Sequence, residues 1–224
     1  MTAADFFADL RLGAGSRWTD YVTHPFTTGL GDGSLPVESF RHYLAQDYLF
    51  LAQVARAYAL MILKAEDVAD MRAAASDVDA LLNRELDLHI RLSASWGVDE
   101  AALAATEESR ATLAYTRFVL DVGHSGDLLD LQTVLAPCVI GYVEIAERLA
   151  ALPGATAPAN PYAAWITDFS APAYVAVAEK TRARLAATAA RRLTPARRPR
   201  LQALFNQAVR LETDFWQMGL SRSL

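Results

Sequence analysis

Three ionisable side chains occupy positions where helical patterns expect apolar ones: Asp47, Cys138 and Glu212. Cys138 is the sole cysteine and lies in LQTVLAPCVIGYVEIAERLA, residues 131–150. Leu131, Val134, Leu135, Cys138, Tyr142, Ile145 and Leu149 recur at steps of three and four, which puts them on one face of a helix. Cys138 and Tyr142, four apart, are neighbours on that face. Pro137 lacks an N–H and its ring crowds the carbonyl of Thr133, so the sequence predicts a kink or a locally opened turn beside the thiol. A thiolate attacks soft, electron-poor carbon. A free cysteine also serves as a small buried hydrophobe, and the spacing alone leaves both uses open.

Asp47 interrupts a stripe made by Phe40, Tyr43, Leu44, Leu51 and Val54. A buried charge needs a partner. That partner is either a neighbouring helix, with a packing role, or a ligand's amino group or protonated ring nitrogen. Glu212 interrupts the seam of Phe205, Ala208, Phe215 and Gly219. A carboxyl whose pKa is raised by burial can move protons, and a satisfied buried acid is the plain alternative. Taken together, the three point to one polar pocket in a helical bundle. Tyr43, Phe50, Tyr115, Tyr142, Phe169, Phe215 and Trp216 could line it for a flat ligand, although aromatics at helical spacing commonly build the core.

The elements that must carry these groups read as helices. No period-2 strand run and no internal repeat occurs. Helical patterns cover Thr2–Leu12 and Ser16–Thr23, then a turn-rich loop is expected over residues 26–35, FTTGLGDGSL. Pro36 opens a helix to about Leu63, with Glu38 in its first turn. Residues 66–96 form one helix or a pair, on which Glu85 and His89, four apart, could pair. Thr106 is expected to cap the next helix. After a small-residue linker at 151–160, Asn160–Pro161, Ser170–Pro172 and Thr194–Pro195 each open a further helix. The 224 residues fit one domain, 1–224.

Composition narrows the class. One cysteine excludes an internal disulfide and suits a reducing, cytoplasmic compartment. The start lacks a basic segment followed by an apolar core, so no secretory signal is expected. The longest wholly apolar run, Ala57–Leu63, falls far short of a bilayer span, so no membrane partner is expected. A net charge of -5 argues against nucleic acid, and the basic run RRLTPARRPR at 191–200 reads as a solvated inter-helix turn. Glu-x-x-His does not occur, so a di-iron site is not expected, and no haem ligand beyond His24 suggests itself. No histidine follows His124, which leaves a papain-like Cys–His pair without an obvious partner.

The stretches His24-Pro-Phe26, Gly29-Leu-Gly-Asp-Gly-Ser-Leu-Pro36, Phe40-Arg-His-Tyr-Leu-Ala-Gln-Asp47, Cys138-Val-Ile-Gly-Tyr142, Asn160-Pro-Tyr-Ala-Ala-Trp-Ile166 and Glu212-Thr-Asp-Phe-Trp216 together resemble the TenA (thiaminase II) family in order and spacing, from about residue 16 to 219. The resemblance implies an all-α fold, a haem-oxygenase-like multi-helix bundle without haem, usually a homotetramer with no cofactor. It implies hydrolysis of 4-amino-5-aminomethyl-2-methylpyrimidine, or of thiamine, to the hydroxymethylpyrimidine used in thiamine salvage. Residue by residue, it assigns the nucleophile to Cys138, the acid/base to Glu212, pyrimidine binding to Asp47, and pocket positions to Tyr115 and Tyr142, beside which Trp216 is a candidate lining residue from the aromatic pattern alone. Phe50 and Phe169 stand where the family commonly has tyrosines, and a lost hydroxyl in a polar site bears on substrate preference. Two other readings stay open: a non-catalytic pyrimidine-binding or regulatory protein on the same bundle, and a metal-dependent oxygenase of related fold.

Overall fold

The computed structural model describes residues 6–224. Among the described residues there are thirteen α-helices, two π-helical turns and no strand. In chain order they are α1 Phe6–Ala14, α2 Ser16–Val22, α3 Pro25–Asp32, α4 Val37–Lys64, α5 Val68–Ala80, α6 Leu86–Ser95, α7 Glu100–Ala104, α8 Arg110–Ser125, α9 Leu128–Ala136, α10 Tyr142–Ala150, α11 Ala163–Phe169, α12 Pro172–Arg192 and α13 Arg198–Ser221. The π turns are Leu81–Glu85, between α5 and α6, and Pro137–Gly141, between α9 and α10. The chain falls into two compact units, one of residues up to Pro36 with Gln132–Gln217, the other of Val37–Leu131 with Met218–Leu224. The part of the expected first helix before Phe6 lies outside the described residues.

In the first unit, α10 packs on α2, α3, α11 and α12, and α12 also packs on α1 and on the π turn Pro137–Gly141. Phe7, Trp18 and Phe205 form an aromatic knot, with centroids 5.5–5.8 Å apart, and the Arg182 guanidinium lies 4.7 Å from the Phe7 ring centroid. Residues 26–35 are mostly helix rather than the expected loop. Pro25 fits the first helical position, His24 Nδ1 accepts the Phe26 N–H, and Gly33 ends the helix at φ 76°. The glycines that suggested a loop serve close packing instead: a Cβ on Gly31 would come within 2.7 Å of Leu149. Asn160 does not cap a helix at Pro161. Its Nδ2 donates to the carbonyls of Leu30 and Ala155, and its Oδ1 accepts from Tyr162 N, so it ties the small-residue linker to the end of α3. α11 starts later, at Ala163.

In the second unit, α4 is the spine on which α5, α6, α7 and α8 pack. Glu38 in its first turn and Lys64 in its last both complement the helix dipole. Gln46, wholly buried, sets α8 against it: Nε2 donates to Glu107 O at 2.8 Å, and Oε1 accepts from Ser109 N at 2.9 Å and from Thr112 Oγ1 at 2.6 Å. Ser109, not Thr106, caps α8, its hydroxyl accepting the Thr112 N–H. Thr106 instead donates to Ala102 O, closing α7. Phe40 meets Trp96 edge-on at 5.0 Å.

One feature escapes a search for unbroken apolar runs. Leu128–Ala150 is long and apolar enough to cross a bilayer, yet 89% of its most apolar window is buried within the fold, as in a core helix.

Candidate active site

The expected irregularity at Pro137 is present as a π-helical turn over Pro137–Gly141, and Cys138 lies within it. Every residue of that turn is buried, and Cys138 is 9% exposed. Its thiol donates to Leu135 O at 3.0 Å, so the sulfur is held against its own helix by a weak donor bond. π turns carry one residue more than an α turn and recur at functional sites. This one is steadied from outside the helix. The Tyr21 hydroxyl donates to Pro137 O at 3.2 Å, and a Cβ at Gly141 would overlap the Tyr21 ring. Tyr21 and Gly141 hold the turn in place, and the sequence analysis singled out neither. Tyr21 carried no signal beyond its helix, whereas Gly141 inside a helical run was a readable hint of close approach.

Around the turn the first unit gathers the predicted aromatics. The ring of Tyr142 lies 5.0 Å from that of Trp216, 5.4 Å from Phe169 and 6.1 Å from Trp165. Trp216 in turn stacks on Phe26 at 5.1 Å. Glu212, 1% exposed, belongs to the same unit, one helical turn before Trp216 on α13. Cys138, Tyr142, Phe169, Glu212 and Trp216 are therefore constituents of one compact unit.

Asp47, Phe50 and Tyr115 belong to the second unit. Phe50 and Tyr115 are buried with ring centroids 4.9 Å apart, in the register that the Gln46 bonds give α4 and α8. Asp47 is 4% exposed, as its place on the apolar stripe implied. Its Oδ2 accepts from the Tyr43 hydroxyl at 3.3 Å and lies 3.5 Å from His89 Nδ1. Burial raises its pKa to about 7, against the pull of the Tyr43 bond. Burial also lowers the pKa of His89 to about 4. The i,i+4 pairing of His89 with Glu85 does not form. Glu85 ends the π turn Leu81–Glu85, whose extra residue shifts the phase of the helical face, and His89 turns to α4 instead, its Nε2 2.6 Å from Leu44 O.

Among the described residues no group of three or more His, Cys, Asp or Glu side chains lies together in a way that could hold a metal ion.

The comparison with known proteins bears on both units. Over 96% of either chain, at 43% identity and a TM-score of 0.91, the fold matches the crystal structure of a TenA family transcription regulator from Silicibacter sp. TM1040. The aminopyrimidine aminohydrolase of Halalkalibacterium halodurans is 34% identical over 220 residues, 98% of this chain and 97% of that one. At the level of fold alone, the chain is similar to heme oxygenase-1 from the cyanobacterium Synechocystis, with a TM-score of 0.64 at 14% identity over 97% and 91% of the two chains. The architecture is thus the haem-oxygenase-like all-α bundle that the family resemblance implied. The family model described as the TENA/THI-4/PQQC family matches residues 14–222, and the chain belongs to that family.

Proposed function

We propose that this protein is an aminopyrimidine hydrolase of thiamine salvage, with Cys138 as nucleophile. One observation carries the reading: a relative of 34% identity, aligned end to end, is named an aminopyrimidine aminohydrolase. The nucleophile is assigned to the lone cysteine of this chain because it lies on a buried, clamped π turn.

In this reading the Cys138 thiolate adds to the pyrimidine ring beside the carbon bearing the methylene group. The new S–C bond pushes electrons through the ring and expels the group on the methylene, ammonia or the thiazole. Water adds to the exposed methylene, and the S–C bond breaks to return the thiolate. Glu212 gives a proton to the departing group and takes one back from the water, so the proton count closes over a turnover. Asp47 takes the amino group of the pyrimidine. Tyr115, Tyr142 and Trp216 supply flat surfaces for the ring. Phe50 and Phe169 offer rings without hydroxyls, which favours a substrate that needs no hydrogen bond at those points. The chemistry needs no cofactor, and a reduced thiol suits the cytoplasm. A homotetramer belongs to the same reading and is checked by light scattering.

A second reading is favoured by the name of the Silicibacter relative, a transcription regulator. A pyrimidine-binding regulator would bind the ligand without turning it over. The discriminating experiment incubates the pure protein with 4-amino-5-aminomethyl-2-methylpyrimidine and, separately, with thiamine, and follows ammonia or thiazole together with hydroxymethylpyrimidine. Catalytic formation of hydroxymethylpyrimidine supports the hydrolase and ranks the substrates. Stoichiometric binding of either compound without product supports the regulator.

A further inference from the structure

Asp47 and His89 form a buried pair whose hydrogen-bond geometry fixes where their protons sit. Leu44 O can only accept, so at 2.6 Å the Nε2 of His89 carries a proton. A neutral imidazole has one N–H, which leaves Nδ1 as a bare lone pair 3.5 Å from Asp47 Oδ2. Two bare acceptors facing each other in a buried site repel, so a proton is held between them, on the carboxyl or on the ring. Asp47 and His89 are 4% and 7% exposed, so water does not relieve that demand. Among the described residues the titratable groups within hydrogen-bond or ion-pair distance of Asp47 are Tyr43 on its own helix and His89 on α6, and α8 brings the buried Tyr115 against Phe50, one turn along α4. Both contacts fall on Oδ2, and Oδ1 makes no hydrogen bond among the described residues. The carboxyl is thus gripped on one oxygen and open on the other.

We propose that His89 is a positioning residue for Asp47, taking the carboxyl proton on Nδ1 as Asp47 Oδ1 accepts a hydrogen bond from the amino group of an aminopyrimidine. The Oδ2–H bond breaks and the Nδ1–H bond forms; no other atom moves and no further reactant is needed. Charging the carboxylate strengthens its bond to the ligand, and the imidazolium left behind stays anchored on Leu44 O. Burial favours the neutral carboxyl and the neutral ring in the empty site, which makes the transfer a response to the ligand. This inference rests on the assignment of Asp47 to an aminopyrimidine.

The test begins with nitrogen NMR of the His89 ring in the ligand-free protein, which does not depend on turnover. The Nε2–H tautomer is expected at neutral pH, with an Nδ1 resonance that moves in Asp47→Asn. An Nδ1–H tautomer, or a resonance indifferent to Asp47→Asn, overturns the pair. Hydroxymethylpyrimidine is then added, and Nδ1 is expected to become protonated; binding with no change at Nδ1 overturns the transfer. If the wild-type protein does not bind hydroxymethylpyrimidine, the assignment of Asp47 fails, and the inference fails with it while the ligand-free pair stands. Kinetically, His89→Gln keeps a donor for Leu44 O and loses the base. KM is expected to rise about tenfold or more, with kcat falling less, as for loss of one charge-assisted contact, and the pH profile of kcat/KM is expected to shift. A profile that superimposes on the wild type overturns the proposal.

Discussion

The two π turns differ in almost every respect except geometry. Pro137–Gly141 is buried throughout, whereas in Leu81–Glu85 only Leu81 is buried and Leu82, Asn83 and Arg84 are exposed. The first has a local cause, a proline that withholds an N–H from the α ladder. The second, LLNRE, contains neither proline nor glycine. The first is clamped by Tyr21 and carries a nucleophile candidate on the turn itself. The second carries no candidate, and its consequence lies four residues beyond its end, where His89 faces α4. A widened turn is therefore not a site by itself. It matters where burial, an external clamp and a reactive group coincide, or where the extra residue re-aims a later side chain.

This contrast can be broken by substitution. Pro137→Ala restores an N–H and allows the α ladder to close, so kcat is expected to fall about 100-fold through misplacement of the thiol, while melting temperature changes little. Steady-state kinetics beside a thermal melt would check it. Gly141→Ala drives a methyl group into the Tyr21 ring and is expected to cost about 1–3 kcal/mol in urea unfolding. Tyr21→Phe removes the hydroxyl's bond to Pro137 O, about 1 kcal/mol, with a measurable loss of turnover. Asn83→Ala in the exposed turn loses a surface bond to Asp79 and is expected to stay within about 0.5 kcal/mol of the wild type, with activity intact. Equal effects at Tyr21 and Asn83 would erase the distinction between the turns.

A pH series sharpens what the second turn contributes. The Asp47 carboxyl is raised from 3.8 to about 7 on folding, so its contribution is fully present below about pH 4 and is lost as pH rises through about 7. His89 is lowered from 6.5 to about 4, so its contribution is present above about pH 6.5 and is lost as pH falls through about 4. The two slopes oppose each other between them. Asp47→Asn removes the first, and its melting temperature relative to the wild type is expected to climb from pH 4 to about pH 7 and to level off above it. A constant difference across that range would contradict the burial of an ionisable Asp47.

What the sequence revealed follows from what periodicity can carry. Inward Asp47 and Glu212 were legible because each breaks an apolar stripe, and Cys138 because it falls on one; all three are buried. The irregular turn at Cys138 was legible because proline has a fixed local effect. Helix α3 was not: Gly29 and Gly31 read as turn residues until Leu35 and Leu149, which crowd them, were known. The Asp47–His89 pair was hidden for a related reason. Spacing along one helix suggested Glu85, and an unsignalled π turn redirected the ring across to another helix.

The most direct measurement is ammonia release from 4-amino-5-aminomethyl-2-methylpyrimidine by the wild type and by Cys138→Ser, with circular dichroism to show that the fold is kept. The account predicts turnover by the wild type and none above background in the folded variant. A folded Cys138→Ser protein with wild-type turnover would contradict it.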